Sequence, residues 1–295
     1  MLPDYPEWAT LWAIMTEILN GAVLATNIKR KTKTRISKLK HPPGLAVILV
    51  GENPASKLYV RLKEEAAKEV GIYVEVISYP ADTSTKALIE KINELNARKE
   101  IHGILVQLPL ADQDTDAVIG AIHPAKDIDG FHPENRRALL ANTPVLVPPV
   151  ALAIMRLIQA TRRSLNNRTG VIIGNSAIFA EPLIELLRES GVTATFVTRD
   201  TPALSAVTRA ADIVVVAVGE AGFLKPDMVQ EAAIVIDVGT NKVDKKTVGD
   251  VDPSVEGYVG FLSKVPGGVG PLTVAYLLTN CLKAMEAQQR EGAGN

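Results

Sequence analysis

Leu45-Ala46-Val47-Ile48-Leu49-Val50-Gly51-Glu52-Asn53-Pro54-Ala55-Ser56-Lys57-Leu58-Tyr59-Val60-Arg61-Leu62-Lys63 decides the fold class. Residues 45–50 are apolar without alternation, the pattern of a strand buried on both faces of a parallel sheet. Gly51-Glu52-Asn53-Pro54 is a turn. A helix with few breakers is expected from about 56 to 70. Working outward, 74–78 and 103–108 are further buried strands, and 84–98 is a helix between them. Strands alternating with helices predict βαβ units.

A proline-rich stretch, Thr143-Pro144 to Pro148-Pro149, interrupts the pattern, and a helix follows over about 151–161. A second series then begins. Residues 170–173, 193–197, 213–218 and 233–238 are strand-like, and 178–190 and 202–210 are helix-like. Strands this rich in Val and Ile predict a doubly wound sheet. Pro266-Gly267-Gly268-Val269-Gly270-Pro271 marks a second crossing. A final helix runs from 272 to about 289, and Glu291-Gly292-Ala293-Gly294-Asn295 reads as a frayed tail. The expected architecture is α/β, with residues 1–147 as the first domain and 148–271 as the second. The C-terminal helix, 272–295, is expected to pack back on the first.

Composition narrows the function classes. The chain has 295 residues, 47% of them hydrophobic, and a formal net charge of −1. That length suits two domains and a large core. The charge gives no footprint for nucleic acid or an anionic membrane. The basic cluster over 29–40 is spaced like the polar face of an amphipathic helix, with Ile28, Ile36 and Leu39 on the other face. Cys281 is the only cysteine, so no intrachain disulfide forms and a cysteine-based zinc site lacks ligands. His41, His102, His123 and His132 show no metal spacing, so no metal site is expected. A reducing cytoplasm fits this cysteine usage. No apolar stretch is long enough to span a bilayer. Residues 1–14 are acidic and aromatic with no Lys or Arg, unlike a secretory signal or transit peptide. Met15 stands as an alternative start, with the preceding residues an upstream extension.

Two places carry chemistry. Tyr59 and Lys63 are four apart and share one helix face. A lysine beside a phenol can shuttle protons when burial lowers its pKa. Taken alone, the pair reads first as a solvated lysine on an amphipathic helix, so the case for chemistry rests on the rest of the chain. In the second half, Val171-Ile172-Ile173 leads into Gly174-Asn175-Ser176 and a helix containing Ala180. A glycine turn between strand and helix lets backbone N–H groups approach a phosphate. Gly-x-Ser-x-x-x-Ala is either such a cofactor loop or an ordinary tight turn. The next strand ends at Thr198-Arg199-Asp200. Asp200 lies 26 residues past Gly174, near the spacing of about 20 for an acid on a ribose 2′-hydroxyl. Arg199 suits a 2′-phosphate instead. Either residue also serves as a loop ion pair.

These motifs together resemble the methylenetetrahydrofolate dehydrogenase/cyclohydrolase family of one-carbon metabolism. The resemblance covers about 18–284. It rests on Ile18-Leu19-Asn20-Gly21, Val50-Gly51-Glu52-Asn53-Pro54-Ala55-Ser56, Tyr59-Val60, Lys63, and Gly103-Ile104-Leu105-Val106-Gln107-Leu108-Pro109-Leu110. It continues through Lys126-Asp127-Ile128-Asp129-Gly130-Phe131-His132, Ile236-Asp237-Val238-Gly239, Gly249-Asp250-Val251 and Val265-Pro266-Gly267-Gly268-Val269-Gly270-Pro271. It implies an N-terminal αβα folate-binding catalytic domain, a Rossmann-type dinucleotide-binding domain, a cleft between them, and a cytoplasmic homodimer serving one-carbon supply and purine biosynthesis. The implied activity is oxidation of 5,10-methylenetetrahydrofolate with NADP, then hydrolysis of the methenyl product to 10-formyltetrahydrofolate. By the resemblance, Lys63 handles protons, Gln107 holds the lysine, Tyr59 lines the folate site and Asp129 binds the pterin. Val106, Leu108, Pro109, Pro266, Gly267 and Gly268 line the substrate site. Gly174, Asn175, Ser176, Arg199, Asp200 and Thr240 hold the cofactor.

Departures from the family pattern concentrate in the cofactor half. Val145-Leu146-Val147-Pro148-Pro149-Val150 stands where the family shows Pro-Cys-Thr-Pro-x-Gly. Gly174-Asn175-Ser176 replaces Gly-Arg-Ser, Phe179-Ala180-Glu181-Pro182 replaces Val-Gly-x-Pro, and Thr198-Arg199-Asp200-Thr201 replaces His-Ser-x-Thr. A side chain at Ala180 is expected to narrow the phosphate mouth. Three readings follow: NADP use with Arg199 replacing the lost arginine, a shift to NAD through Asp200, or a cyclohydrolase-only protein with a degenerate cofactor loop. A non-catalytic folate-binding or regulatory subunit is the alternative from another class.

Overall fold

The computed structural model describes residues 15–293. The expectations for 1–14, and the last two residues of the C-terminal tail, fall outside the described residues. Two compact units divide the chain. One takes the chain through Gly21 together with Ile154–Val269; the other takes Ala22–Ala153 and the chain from Gly270 onward.

The unit from Ala22 is built on three parallel strands, β2 (Gly44–Val50), β3 (Tyr73–Tyr79) and β4 (Gly103–Val106), in the order β3-β2-β4. The strand expected over 103–108 thus ends two residues early, and Gln107 and Leu108 form the loop that follows. Every residue of β2 and β4 is buried, which is why neither strand alternates in sequence. The crossovers are α2 (Pro54–Val70) and α3 (Thr85–Ala97), after α1 (Gly21–Ile36). The basic residues of 29–36 lie on α1, and those beyond Ile36 lie past its end. The short helices α4 (Thr115–Gly120) and α5 (Pro133–Leu140) follow β4. α9 (Val269–Ala293) puts Leu277, Leu278, Cys281 and Leu282 into one core with Leu45, Val47, Leu105 and Ile128. It runs four residues past the expected end at 289. The opposite face of the sheet packs Ile48 and Ile104 on Leu88, Ile92 and Leu95 of α3.

The second unit holds a six-stranded parallel sheet. Its strands are β1 (Glu17–Leu19), β5 (Arg168–Gly174), β6 (Val192–Val197), β7 (Ile213–Ala217), β8 (Ile234–Asp237) and β11 (Phe261–Ser263), in the order β1-β11-β8-β7-β5-β6. It follows α6 (Pro149–Ala160) and carries α7 (Ala177–Glu189) and α8 (Leu204–Arg209) as crossovers. A hairpin of β9 (Asn241–Val243) and β10 (Lys246–Val248) leaves the end of β8. Val171, Ile173, Val214, Val216, Val235 and Leu262 form its core. Among the described residues no helix is long and apolar enough to cross a membrane.

The placement of β1 corrects the expectation that residues 1–147 keep together. Glu17 pairs with Phe261 and Leu19 with Ser263, so this segment completes the larger sheet. A three-residue strand gives no periodicity from which to read a partner. The junction is tight: a methyl on Gly21 would overlap the carbonyl oxygen of Gly268. Gly21→Ala is therefore expected to cost about 1–3 kcal/mol through overpacking and to lower the thermal midpoint by several degrees. An unchanged midpoint in a melting scan would show that this junction opens freely.

Candidate active site

The first constellation is set by two elements. Asn53 caps α2, its side-chain oxygen accepting from the backbone N–H of Ala55 at 2.9 Å and of Ser56 at 3.2 Å, while Pro54 occupies the first turn. Gly71 ends the helix in the left-handed region. Lys63 thus sits in mid-helix, half-buried, one turn from the exposed Tyr59. Gln107 directly follows β4, and its backbone N–H still donates to Ile48 at 2.8 Å, which fixes it at the sheet edge. Lys63 Nζ donates to Gln107 Oε1 at 2.9 Å. The other end of the same amide donates to the Leu108 carbonyl at 2.6 Å. That second bond settles which end of the glutamine faces the ammonium, since the lysine offers only donors. Val106 is the last residue of β4, and Leu108-Pro109 is a cis peptide bond just beyond it.

Asp129 lies on a loop held from three sides by residues to which the sequence assigned no role. The buried Lys126 ammonium donates to the carbonyls of Leu95, Asn96 and Arg98 at 3.1, 2.9 and 2.7 Å, closing the carboxyl end of α3. Asp127 accepts from the backbone N–H of Gly130 at 3.1 Å and of His132 at 2.7 Å, and from the Asn135 amide at 3.0 Å. Asn280, fully buried on α9, donates to the carbonyls of Ile128 at 2.9 Å and Val147 at 2.8 Å. The local signal for these roles was a run of polar residues in an apolar setting, which gives burial but no partners.

Asp129 itself receives no hydrogen bond from the described residues. Burial pushes its carboxyl up to about 6, against the pull of the Lys63 charge and with a push from Asp127. Burial likewise lowers the Lys63 ammonium, and Asp129 opposes that shift. The pair is an ammonium primed to release its proton beside a carboxylate with free acceptor capacity.

In the other unit, parallel strands bring the second set to one edge. Gly174 ends β5 and Asn175 and Ser176 follow it, Arg199 and Asp200 follow β6, and Thr240 follows β8. Pro266, Gly267 and Gly268 follow β11, with Val265-Pro266 cis. The Asn175 amide donates to the Val218 carbonyl at 2.9 Å, tying the ends of β5 and β7. Ser176 heads α7 without a side-chain cap, so the first-turn N–H groups remain available to an anion. Residues 175–178 are exposed. Ala180, the side chain expected to narrow this mouth, is fully buried in α7. An uncapped helix start, an open loop and a nearby arginine fit the phosphates of a dinucleotide. Arg199 is ion-paired with Glu220, and Asp200 is exposed in the Thr198–Thr201 turn.

Two buried carboxylates tie the loops at this edge together. Asp250 accepts from the backbone N–H of Val218 at 2.6 Å and Gly219 at 2.9 Å, and from the Asn241 amide at 2.8 Å. Asp237 accepts from the backbone N–H of Gly239, Asp250 and Val251 at 3.0, 2.9 and 3.0 Å, and burial pushes it up to about 6. A methyl on Gly239 or Gly249 would overlap these carboxylates, which explains both glycines.

Residues 148–289 match the family described as tetrahydrofolate dehydrogenase/cyclohydrolase, NAD(P)-binding domain, and residues 19–129 match its catalytic domain. The chain is 45% identical over 275 residues to the bifunctional protein FolD of Burkholderia pseudomallei (strain 1106a), covering 91% of this chain and 96% of that protein. It is similar to the crystal structure of the bifunctional enzyme FolD, methylenetetrahydrofolate dehydrogenase/cyclohydrolase, from Campylobacter jejuni. There the identity is 39%, the TM-score 0.89, and the coverage 92% of this chain and 99% of that one. A further similar structure is N5,N10-methylenetetrahydrofolate dehydrogenase-cyclohydrolase of Trypanosoma brucei, complexed with NADP cofactor and inhibitor. It is 32% identical, with a TM-score of 0.89 and coverage of 93% and 99%.

The raised Asp129 carboxyl has a stability consequence. Its folded value, about 6, exceeds the ordinary 3.8. Relative to the unfolded chain, stability is therefore full below about pH 4 and falls as pH rises through 6. Asp129→Asn removes that ionisation. It is expected to gain about 1–3 kcal/mol at pH 7.5 and nothing near pH 4, by urea unfolding at each pH. Equal stability of the two proteins at pH 7.5 would contradict a desolvated carboxylate.

Proposed function

Because the chain belongs to the tetrahydrofolate dehydrogenase/cyclohydrolase family, we propose that it performs both reactions of that name. It oxidises 5,10-methylenetetrahydrofolate with NADP and hydrolyses the resulting methenyl compound to 10-formyltetrahydrofolate. The observation that carries this reading is the Lys63–Gln107 hydrogen bond beside the unpaired Asp129 carboxylate.

The role of each group follows from its chemistry. Asp129, ionised above about pH 6 and without a hydrogen-bond donor among the described residues, accepts the N–H groups of the aminopyrimidine edge of the pterin. Tyr59, exposed one turn from Lys63, offers its ring to the folate. Val106, Leu108 and Pro109 supply an apolar wall at the end of β4. In the hydrolytic step, a water oxygen bonds to the methenyl carbon while Lys63, in the deprotonated fraction that burial enlarges, takes the water proton. The adduct hydroxyl then gives up its proton to solvent as the formyl carbonyl forms, the carbon–nitrogen bond at N5 breaks, and that nitrogen receives the proton held by Lys63. Gln107 keeps the amine aimed throughout.

NADP, when bound, supplies the hydride acceptor for the oxidation. Gly174, Asn175 and Ser176 would meet its phosphates at the start of α7, and Arg199 its 2′-phosphate. Asp200 and Thr240 lie on the same sheet edge. Asp237 and Asp250 hold the surrounding loops in place. A homodimer in the cytoplasm completes the reading. The family resemblance supports the dimer, and Cys281, buried with its thiol pushed up to about 12, agrees with a reducing compartment.

Lys63→Met is expected to lower methenyl hydrolysis at least 100-fold while a folate analogue still binds within about threefold of the parent affinity. Unchanged hydrolysis would remove Lys63 from the mechanism. Affinity for the analogue in the unaltered protein is expected to weaken as pH falls through 6, because protonation takes the anionic acceptor from Asp129. A flat titration between pH 7.5 and 5 would place the pterin contact elsewhere. Steady-state oxidation is expected to proceed at higher kcat/KM with NADP than with NAD.

A further inference from the structure

The carboxyl edge of the larger sheet carries a charged contact that the roles above leave unexplained. Arg199, two residues past β6, is ion-paired with Glu220, three residues past β7. Its guanidinium also lies 5.7 Å from the centroid of the Phe223 ring, on the β7 side. The sheet order is β8-β7-β5-β6, so β5 runs between the two strands that carry this pair. Adjacent strands are about 4.8 Å apart, and the two loops therefore start roughly 10 Å apart. Between them lies the end of β5, which leads through Gly174-Asn175-Ser176 to the uncapped start of α7. The arginine reaches across the strand whose loop would meet the phosphates. Both side chains remain accessible, at 40% and 55% exposure. Gly219, with φ of +75°, makes the turn that delivers Glu220 to this point, and the Asp250 carboxylate fixes that turn through the Gly219 N–H.

We propose that Arg199–Glu220 is a displaceable latch over the phosphate loop, and that Glu220 sets how strongly the chain prefers a 2′-phosphorylated dinucleotide over its unphosphorylated counterpart. The proposal rests on the reading of this edge as the dinucleotide site and adds to it a residue with no previous role. A 2′-phosphate carries about two negative charges and forms forked hydrogen bonds with guanidinium, so it competes with the Glu220 carboxylate for Arg199. A 2′-hydroxyl has no charge with which to compete and leaves the latch closed. Glu220 also repels a phosphate brought near it. It therefore lowers affinity for the phosphorylated ligand selectively and narrows the discrimination that Arg199 provides.

The test measures binding, without turnover, by titration calorimetry at low salt. The probes are 2′,5′-ADP, which carries the 2′-phosphate, and 5′-AMP, which lacks it. Glu220→Gln is expected to bind 2′,5′-ADP roughly three- to tenfold more tightly than the parent and 5′-AMP equally, with the gain shrinking in 1 M salt. Arg199→Met is expected to lose the preference for 2′,5′-ADP, and adding Glu220→Gln to it should then raise 2′,5′-ADP affinity by less than the same change raises it in the parent. Thermal melting checks that each variant is folded. Equal 2′,5′-ADP affinity in Glu220→Gln and the parent overturns the latch while leaving the dinucleotide reading intact. So does an equal gain for both probes, which would reflect a general loss of negative charge. Absence of binding to either probe in every variant overturns the dinucleotide reading and the latch together.

Discussion

A parallel sheet delivers every strand's carboxyl end to the same edge, and both units depend on that constraint. Each return to the starting edge requires a crossover, so successive loops are brought together although they lie tens of residues apart. In the smaller sheet this places Gln107, after β4, beside Lys63 on the helix that follows β2. In the larger sheet it gathers the residues after β5, β6, β7 and β8, including the Asn175–Val218 and Arg199–Glu220 contacts. The cores beneath are rich in Val, Ile and Leu. They hold the edges still, and the chemistry occupies positions that packing does not claim.

Holding charges at such an edge is unfavourable unless each is answered. Lys126 and Asp127 are buried and answered in full, by three carbonyls and by two N–H groups with an amide. The carboxylate two residues beyond Asp127 is treated differently. Asp129 receives no hydrogen bond from the described residues, and burial pushes its carboxyl up to about 6 against the pull of the Lys63 charge. The satisfied charges provide rigidity, and the unsatisfied one provides reactivity. Asp237 and Asp250 repeat the first of these roles in the other unit, where their oxygens gather three loops whose backbone N–H groups would otherwise be unpaired.

Much of this was legible in the chain. Apolar runs without alternation announced parallel strands, because a strand covered on both faces has no polar side to show. Asn53-Pro54 announced the start of α2, and the four-residue step from Tyr59 to Lys63 announced a shared face. Other elements escaped the sequence for definite reasons. Strands β1 and β11 have three residues each, too few for any period, and pair with each other from opposite ends of the chain. The hairpin of β9 and β10 is largely polar and exposed, so hydrophobic patterning does not mark it.

The amino-acid sequence by itself determined the α/β class, the two alternating series, the lysine helix and the glycine turn between β5 and α7. Each of these follows from local spacing and backbone chemistry. Only the tertiary structure decided which partner each polar group takes. It bonded Gln107 to Lys63, left Asp129 without a donor among the described residues, buried Ala180 and paired Arg199 with Glu220 rather than leaving it free. Those outcomes depend on distances between residues far apart in the chain. Burial and the competition for hydrogen bonds set those distances only once the sheet has brought its edges together.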